Sequence, residues 1–295
     1  MGRIEMFRGT STAIITPFTK DNRVDEESLR RLVEFQEENG IRTIVPCGST
    51  GESAMLSHEE HIRVIEVVVD HVKKAKVIAG AGSNSTSEAV MLSKKAEDLG
   101  ADGLLSISPY YVKPTQEGIY LHFKAVAESV NIPVVVYNIP GRTGSNVTAD
   151  TMLRMAEIEG INAVKEASGN LEQIRDIINR RPKGFEVLSG DDALTPALIR
   201  SGGDGVISVT SNCLPKDMAE LVRTLLAGDN ASADVLIAKL APVFEALFVE
   251  TNPIPIKYVM SKMGYGSGAL RLPLTELTEK NRAPVENALR NIGLW

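Results

Sequence analysis

The chain has 295 residues, 43% of them hydrophobic and 24% charged, with a formal net charge of −6 and two cysteines. That composition fits a globular chain with a sizeable core and excludes disorder as a main theme. The acidic balance, with no run of lysines and arginines, argues against a nucleic-acid or anionic-membrane surface, which works by neutralising phosphates.

The amino terminus, "MGRIEMFRGTSTAIITPF", holds no apolar core long enough for a signal peptide, and no later stretch reaches the ~18 apolar residues of a spanning helix. Cys47 and Cys213 end apolar runs, which fits buried free thiols in a reducing compartment better than a disulfide framework. The expected setting is cytoplasmic.

From residue 11 onward, short apolar runs alternate with longer stretches of helical period. The predicted strands are "STAIITPF" (11–18), "TIVPC" (43–47), "KVIAGAG" (76–82), "GLLSIS" (103–108), "PVVVYN" (133–138), "NAVKEA" (162–167), "FEVLSG" (185–190) and "GVISV" (205–209). Helices between them include "DEESLRRLVEFQEEN", with an apolar face of Leu29, Leu32, Val33 and Phe35, and "SHEEHIRVIEVVVDHVKK". Ser57 with Glu60 and Ser85 with Glu88 have capping-box spacing, and Gly40 and Gly100 follow helix ends.

Eight continuously apolar strands, each followed by a helix, are covered on both faces and predict an α/β fold, a parallel (β/α)₈ barrel over residues 1–225. An open doubly wound sheet is the alternative, disfavoured because no GxGxxG follows the first strand. Three helical segments near 230–248, 254–263 and 275–291 predict a small helical appendage over residues 226–295, packed on the barrel.

Barrel active sites form at the carboxyl ends of the strands. Alternation along the sixth strand sets Ala163, Lys165 and Ala167 on one face, and on the fifth it sets Val135 and Tyr137 together. An inward Lys165 would stand beside the Tyr137 phenol. A lysine near its free pKa of ~10.4 is inert as a nucleophile, but burial lowers that value, and such an amine forms Schiff bases with carbonyl substrates. The plainer reading is a lysine snorkelling from a strand end.

Other strand ends add candidates. "GSTGES" (48–53) offers backbone N–H groups and the Ser49 and Thr50 hydroxyls as a carboxylate cradle, or is merely a tight turn. "SPYYVKP" carries Tyr110 and Tyr111, and "YNIPGRTG" holds Arg142 where it could take a carboxylate bidentately or form a surface salt bridge. The glycines of "LSGDD" and "SGGDGVIS" mark a phosphate site or short loops. In "HEEH", His58 and His61 are three apart, not the four of zinc-protease helices, so a solvated helix face is expected and no metal.

Taken in order, "GSTGES", "SPYYVKP", "VVVYNIPGRTG", "VKEASGN", "LSGDDA", "GVISVTSN" and "FVETNPIPIKY" resemble the class I pyruvate-dependent lyases, the N-acetylneuraminate lyase superfamily, over essentially the whole chain. Within it the likeness is greatest to the dihydrodipicolinate synthases. The resemblance implies a lyase that condenses pyruvate with L-aspartate 4-semialdehyde on the way to diaminopimelate and lysine, without metal or organic cofactor. It implies Lys165 as the imine former and Tyr137 as proton shuttle, linked through Ser49 to a Tyr111 that reaches across a dimer interface. Thr50 would hold the pyruvate carboxylate, Arg142 the acceptor's carboxylate, and Gly190 and Ile207 would line the pocket.

The relay hydroxyl is commonly threonine in such proteins, so Ser49 departs from the pattern; it keeps the donor and acceptor but loses the methyl that fixes the rotamer. Ser53, Ala54, His58, His61, Asn84, Glu88 and Tyr110 match positions that bind lysine as feedback inhibitor in some members. The implied assembly is a homotetramer, a dimer of dimers. Two rival readings remain open: an N-acetylneuraminate or 2-keto-3-deoxy sugar acid aldolase, against which Arg142 speaks, and a catalytically silent barrel that binds a small molecule.

Overall fold

A computed structural model describes residues 6–294. The eight strands are β1 (Gly9–Ala13), β2 (Thr43–Val45), β3 (Lys76–Gly80), β4 (Gly103–Ile107), β5 (Val134–Asn138), β6 (Ile161–Glu166), β7 (Glu186–Ser189) and β8 (Gly205–Ser208). They pair in parallel, in chain order, and close into a barrel through β1 and β8.

Around it lie α1 (Glu26–Glu38), α2 (His58–His71), α3 (Thr86–Asp98), α4 (Gln116–Glu128), the short α5 (Pro140–Thr143), α6 (Ala149–Ala156), α7 (Leu171–Arg180), α8 (Thr195–Arg200) and α9 (Pro215–Leu226). Three more follow: α10 (Asn230–Ala246), α11 (Ile254–Lys262) and α12 (Glu279–Asn291). No described helix is long and apolar enough to cross a membrane. Both cysteines are buried free thiols.

Period-two alternation divides the core into two layers. Ala13, Val45, Ile78, Leu105, Val135, Tyr137, Ala163, Leu188 and Ile207 fill the barrel interior with Phe7. Their alternates, such as Val134, Val136 and Val164, pack against the helices. Glu186, at the start of β7, accepts the backbone N–H groups of Met6 (3.2 Å) and Phe7 (3.0 Å), so the amino-terminal end of the barrel is stoppered by a tethered phenylalanine. Chemistry is left to the opposite end.

Three local expectations are corrected. The first strand lies at 9–13 rather than 11–18, because Asn212 ends it: its Nδ2 donates to Ala13 O (2.8 Å) and its Oδ1 accepts Ile15 N–H (3.0 Å), replacing the next rungs of the sheet. On α1 the fully buried stripe is Leu29, Leu32, Val33 and Gln36, while Phe35 is half-buried with its ring 5.5 Å from Tyr265. Ser57 and Glu60 do form a capping box, but Ser85 makes no capping bond, since Glu88 turns instead to the Ser83 hydroxyl and His58.

Candidate active site

Strands β5 and β6 pair with Tyr137 directly opposite Lys165, both pointing into the barrel. Each side chain is about 5% exposed, and the Lys165 Nζ lies 4.1 Å from the centroid of the Tyr137 ring. Burial pulls the Lys165 pKa down from 10.5 to about 7; the nearby Asp192 carboxylate opposes this and the Arg142 guanidinium assists it. Burial also pushes the Tyr137 phenol up to about 12, against the opposing pull of Arg142 and of a hydrogen bond with Ser49. The pair is therefore an amine partly neutral at pH 7 beside a phenol that keeps its proton.

Room for the lysine comes from Gly190, just beyond β7. A β-carbon there would stand 2.8 Å from Ala167 Cβ and 3.0 Å from Lys165 Cε, so the glycine is set by the lysine it packs against rather than by a phosphate or a short loop. Ile207 of β8 lies on the same inner face.

The loop after β2 brings the hydroxyls. Ser49 bonds Tyr137, and the buried Thr50 Oγ1 accepts a bond from Asn252 Nδ2 (3.0 Å). The carbonyl of Asn252 in turn accepts from Arg142 Nη2 (2.9 Å), so the guanidinium is held at the mouth with its other nitrogens exposed. Arg142 sits on α5, a single turn started by Pro140 and closed by Gly144 at φ +79°.

Beside this mouth lies a cavity of about 430 Å³ that takes in Ser49, Arg142 and Asn252 at one side and Ser53, Ala54, His58, His61, Glu88 and Tyr110 at the other. Asn84 is half-buried and does not line it. A void of about 30 Å³, lined by Ser49, Ser53 and Tyr137, lies next to it. Glu88 receives the Ser83 hydroxyl and lies 2.5 Å from His58 Nε2, and those two groups hold its carboxyl below the usual range. His61 instead donates Nε2–H to Gly80 O (2.7 Å), and burial lowers its pKa. The two histidines thus address different partners.

One candidate is not brought in by the chain alone. Tyr111 is 86% exposed, at φ +71°, with its backbone N–H on Thr143 O (3.1 Å).

Sequence reasoning missed three participants. Asp192 is buried, with Oδ2 accepting from Val209 N, Thr210 N and Thr210 Oγ1, and burial raises its pKa. The paired acids of "LSGDDA" were its only signal. Asn252 looked like a loop residue in "TNPIP", and Glu52 passed as part of a turn although it is buried and paired with Lys257.

With this geometry in place, the likeness to known proteins can be stated. The sequence model of the Dihydrodipicolinate synthetase family matches residues 6–292. Over 290 residues the chain is 53% identical to a 4-hydroxy-tetrahydrodipicolinate synthase of Syntrophus aciditrophicus (strain SB), covering 98% of this chain and 99% of the other. A chloride-inhibited dihydrodipicolinate synthase from Acinetobacter baumannii, solved in complex with pyruvate, superposes with a TM-score of 0.96 at 45% identity, covering 98% and 99% of the two chains. A Cyanidioschyzon merolae counterpart solved with lysine bound gives 0.96 at 41%, again covering 98% and 99%.

Proposed function

The chain belongs to the dihydrodipicolinate synthetase family and has 4-hydroxy-tetrahydrodipicolinate synthase activity, a step of lysine biosynthesis; from that premise we propose that Lys165 carries the reaction as an imine-forming amine. The observation behind this reading is the Tyr137–Lys165 pair, a buried amine with a pKa near 7 against a protonated phenol. Neutral Nζ attacks the keto carbon of pyruvate, Tyr137 supplies a proton to the departing oxygen, and water leaves as the imine forms. Loss of a methyl proton then gives an enamine, whose carbon adds to the aldehyde of L-aspartate 4-semialdehyde. The amine of that substrate closes the ring and releases Lys165.

In this scheme Thr50 and the N–H groups of its loop hold the pyruvate carboxylate, with Gly190 and Ile207 shaping the pocket. Ser49 passes protons from Tyr137 outward. Arg142, at the mouth, takes the carboxylate of the semialdehyde. Arg142→Ala should raise KM for the semialdehyde about tenfold or more, the cost of a lost charge-assisted bond, while borohydride trapping of the pyruvate imine keeps its wild-type pyruvate dependence. A KM rise for pyruvate instead would place Arg142 on the wrong substrate.

The exposed Tyr111 and its 56% exposed neighbour Val112 fit a face covered by a second copy, with Tyr111 completing the relay to Ser49, and two such dimers joining as a tetramer. Buried free thiols suit a cytoplasmic setting. The cavity around Glu88 suits lysine as inhibitor: an ionised Glu88 pairs with an ammonium, and Tyr110 lies where it can meet the carboxylate. Millimolar lysine should lower the rate, and Glu88→Gln should raise the half-inhibitory concentration about tenfold with the uninhibited rate retained. Full activity of the unaltered enzyme in lysine would remove this reading.

A further inference from the structure

Two residues beyond Thr50, Glu52 turns through φ +55° with its side chain fully buried, and it pairs there with Lys257 of α11, itself about 1% exposed. A buried ion pair is a poor stabiliser, because desolvating both charges rivals their attraction; a well-packed apolar pair would serve the core as well. A left-handed backbone at a glutamate adds a further cost. Both are unexpected in a mere core contact.

The surroundings show what is held. Glu52 Oε2 also accepts the Arg271 backbone N–H (3.2 Å), and Phe18 carries both cations, Lys257 Nζ at 3.8 Å and Arg271 Cζ at 4.4 Å from its ring centroid. Arg271 forks Glu60 with two 2.6 Å bonds and donates to Met55 O (3.0 Å). Asn252 donates to Thr50, and Thr16 Oγ1 donates to Gly51 O (2.7 Å). From Thr50 to Glu60 the chain is thus pinned mainly by residues 252–271, and the pinned segment begins at Thr50, next to the Ser49 that bonds Tyr137.

We propose that Glu52 and Lys257 are positioning residues for this reaction, their buried pair fixing the loop so that Ser49 and Thr50 meet pyruvate in register with Lys165. Neither forms a bond to the substrate; they act through the loop. The charge is what fixes it, since an ammonium must answer the carboxylate in one place, whereas apolar side chains tolerate sliding. The inference rests on Lys165 as the imine former and Thr50 as the carboxylate holder.

Lys257→Met leaves Glu52 without its partner, and the double variant Glu52→Gln/Lys257→Met removes both charges. Thermal midpoints are measured beside the pyruvate concentration that half-saturates borohydride trapping on the Lys165 peptide, read by mass. Lys257→Met should lower the midpoint and raise the half-saturating pyruvate about tenfold or more, as expected of a carboxylate cradle displaced by a fraction of an ångström. The double variant should recover much of the midpoint and little of the pyruvate affinity. If Lys257→Met does not fold, the double variant is read alone, with the same expectation for pyruvate. Wild-type half-saturation in either folded variant, or recovery of affinity together with the midpoint, would overturn the proposal. Trapping on a lysine other than Lys165 in the unaltered enzyme would instead overturn the reading beneath it.

Discussion

Lys165→Ala is expected to abolish turnover, by on the order of 10⁴-fold or more, because in the proposed mechanism it removes the atom that bonds to pyruvate rather than a group that assists it. Borohydride with pyruvate should then add no mass to the protein. The unaltered enzyme should show the complementary pH dependence. With a pKa near 7, about half of Lys165 is neutral at pH 7, against a few in ten thousand for an unperturbed lysine. Because burial lowers this pKa and the neutral amine is the reactive form, imine formation should rise as pH increases through 7 and level off above it. A rate still climbing tenfold per pH unit beyond pH 9 would mean that the lysine titrates normally, and that burial is not what activates it.

Tyr137→Phe should cost about 10²–10³-fold in kcat, the usual range for a lost proton-transfer group, with pyruvate binding little affected. The phenol stays protonated across the working range because burial pushes it to about 12, so it can donate and recover a proton but does not rest as phenolate. Tyr111→Phe tests the far end of the relay and, with it, whether the relay crosses between chains. Lys165→Ala and Tyr111→Phe homo-oligomers should each be nearly inactive. Mixed oligomers formed by subunit exchange should regain activity, because one site then has Lys165 from one chain and Tyr111 from the other. No recovery on mixing would place Tyr111 outside the site.

What the sequence made legible follows from periodicity. Continuous apolar strands with helices between them predicted the barrel, and the period of two placed Tyr137 beside Lys165, as the pairing of β5 and β6 has it. Ends were less legible. The stop of β1 is set by Asn212, almost 200 residues away, and "STAIITPF" carries no local mark of it. From its own stretch Gly190 read as a phosphate-site or loop glycine, and only the resemblance put it in the pocket, because the lysine it packs against is distant in sequence though adjacent in the barrel. Lys257 lay inside an apolar stretch as conspicuous as that of Lys165, but nothing local pointed to Glu52 as its partner. Tyr111 faces outward in a single chain, and only the family resemblance, not the pattern of its own residues, proposed it for the site.

The residues that pin the second loop come from the end of the chain, closing separations of 202 residues between Thr50 and Asn252, 205 between Glu52 and Lys257, and 211 between Glu60 and Arg271. The strands need only reach Ser208 to close the barrel. On a ribosome adding ~5–20 residues per second, there is therefore an interval of seconds in which β8 has been made and the pins have not. The segment that sets the second loop is thus made after every strand whose side chains it will serve.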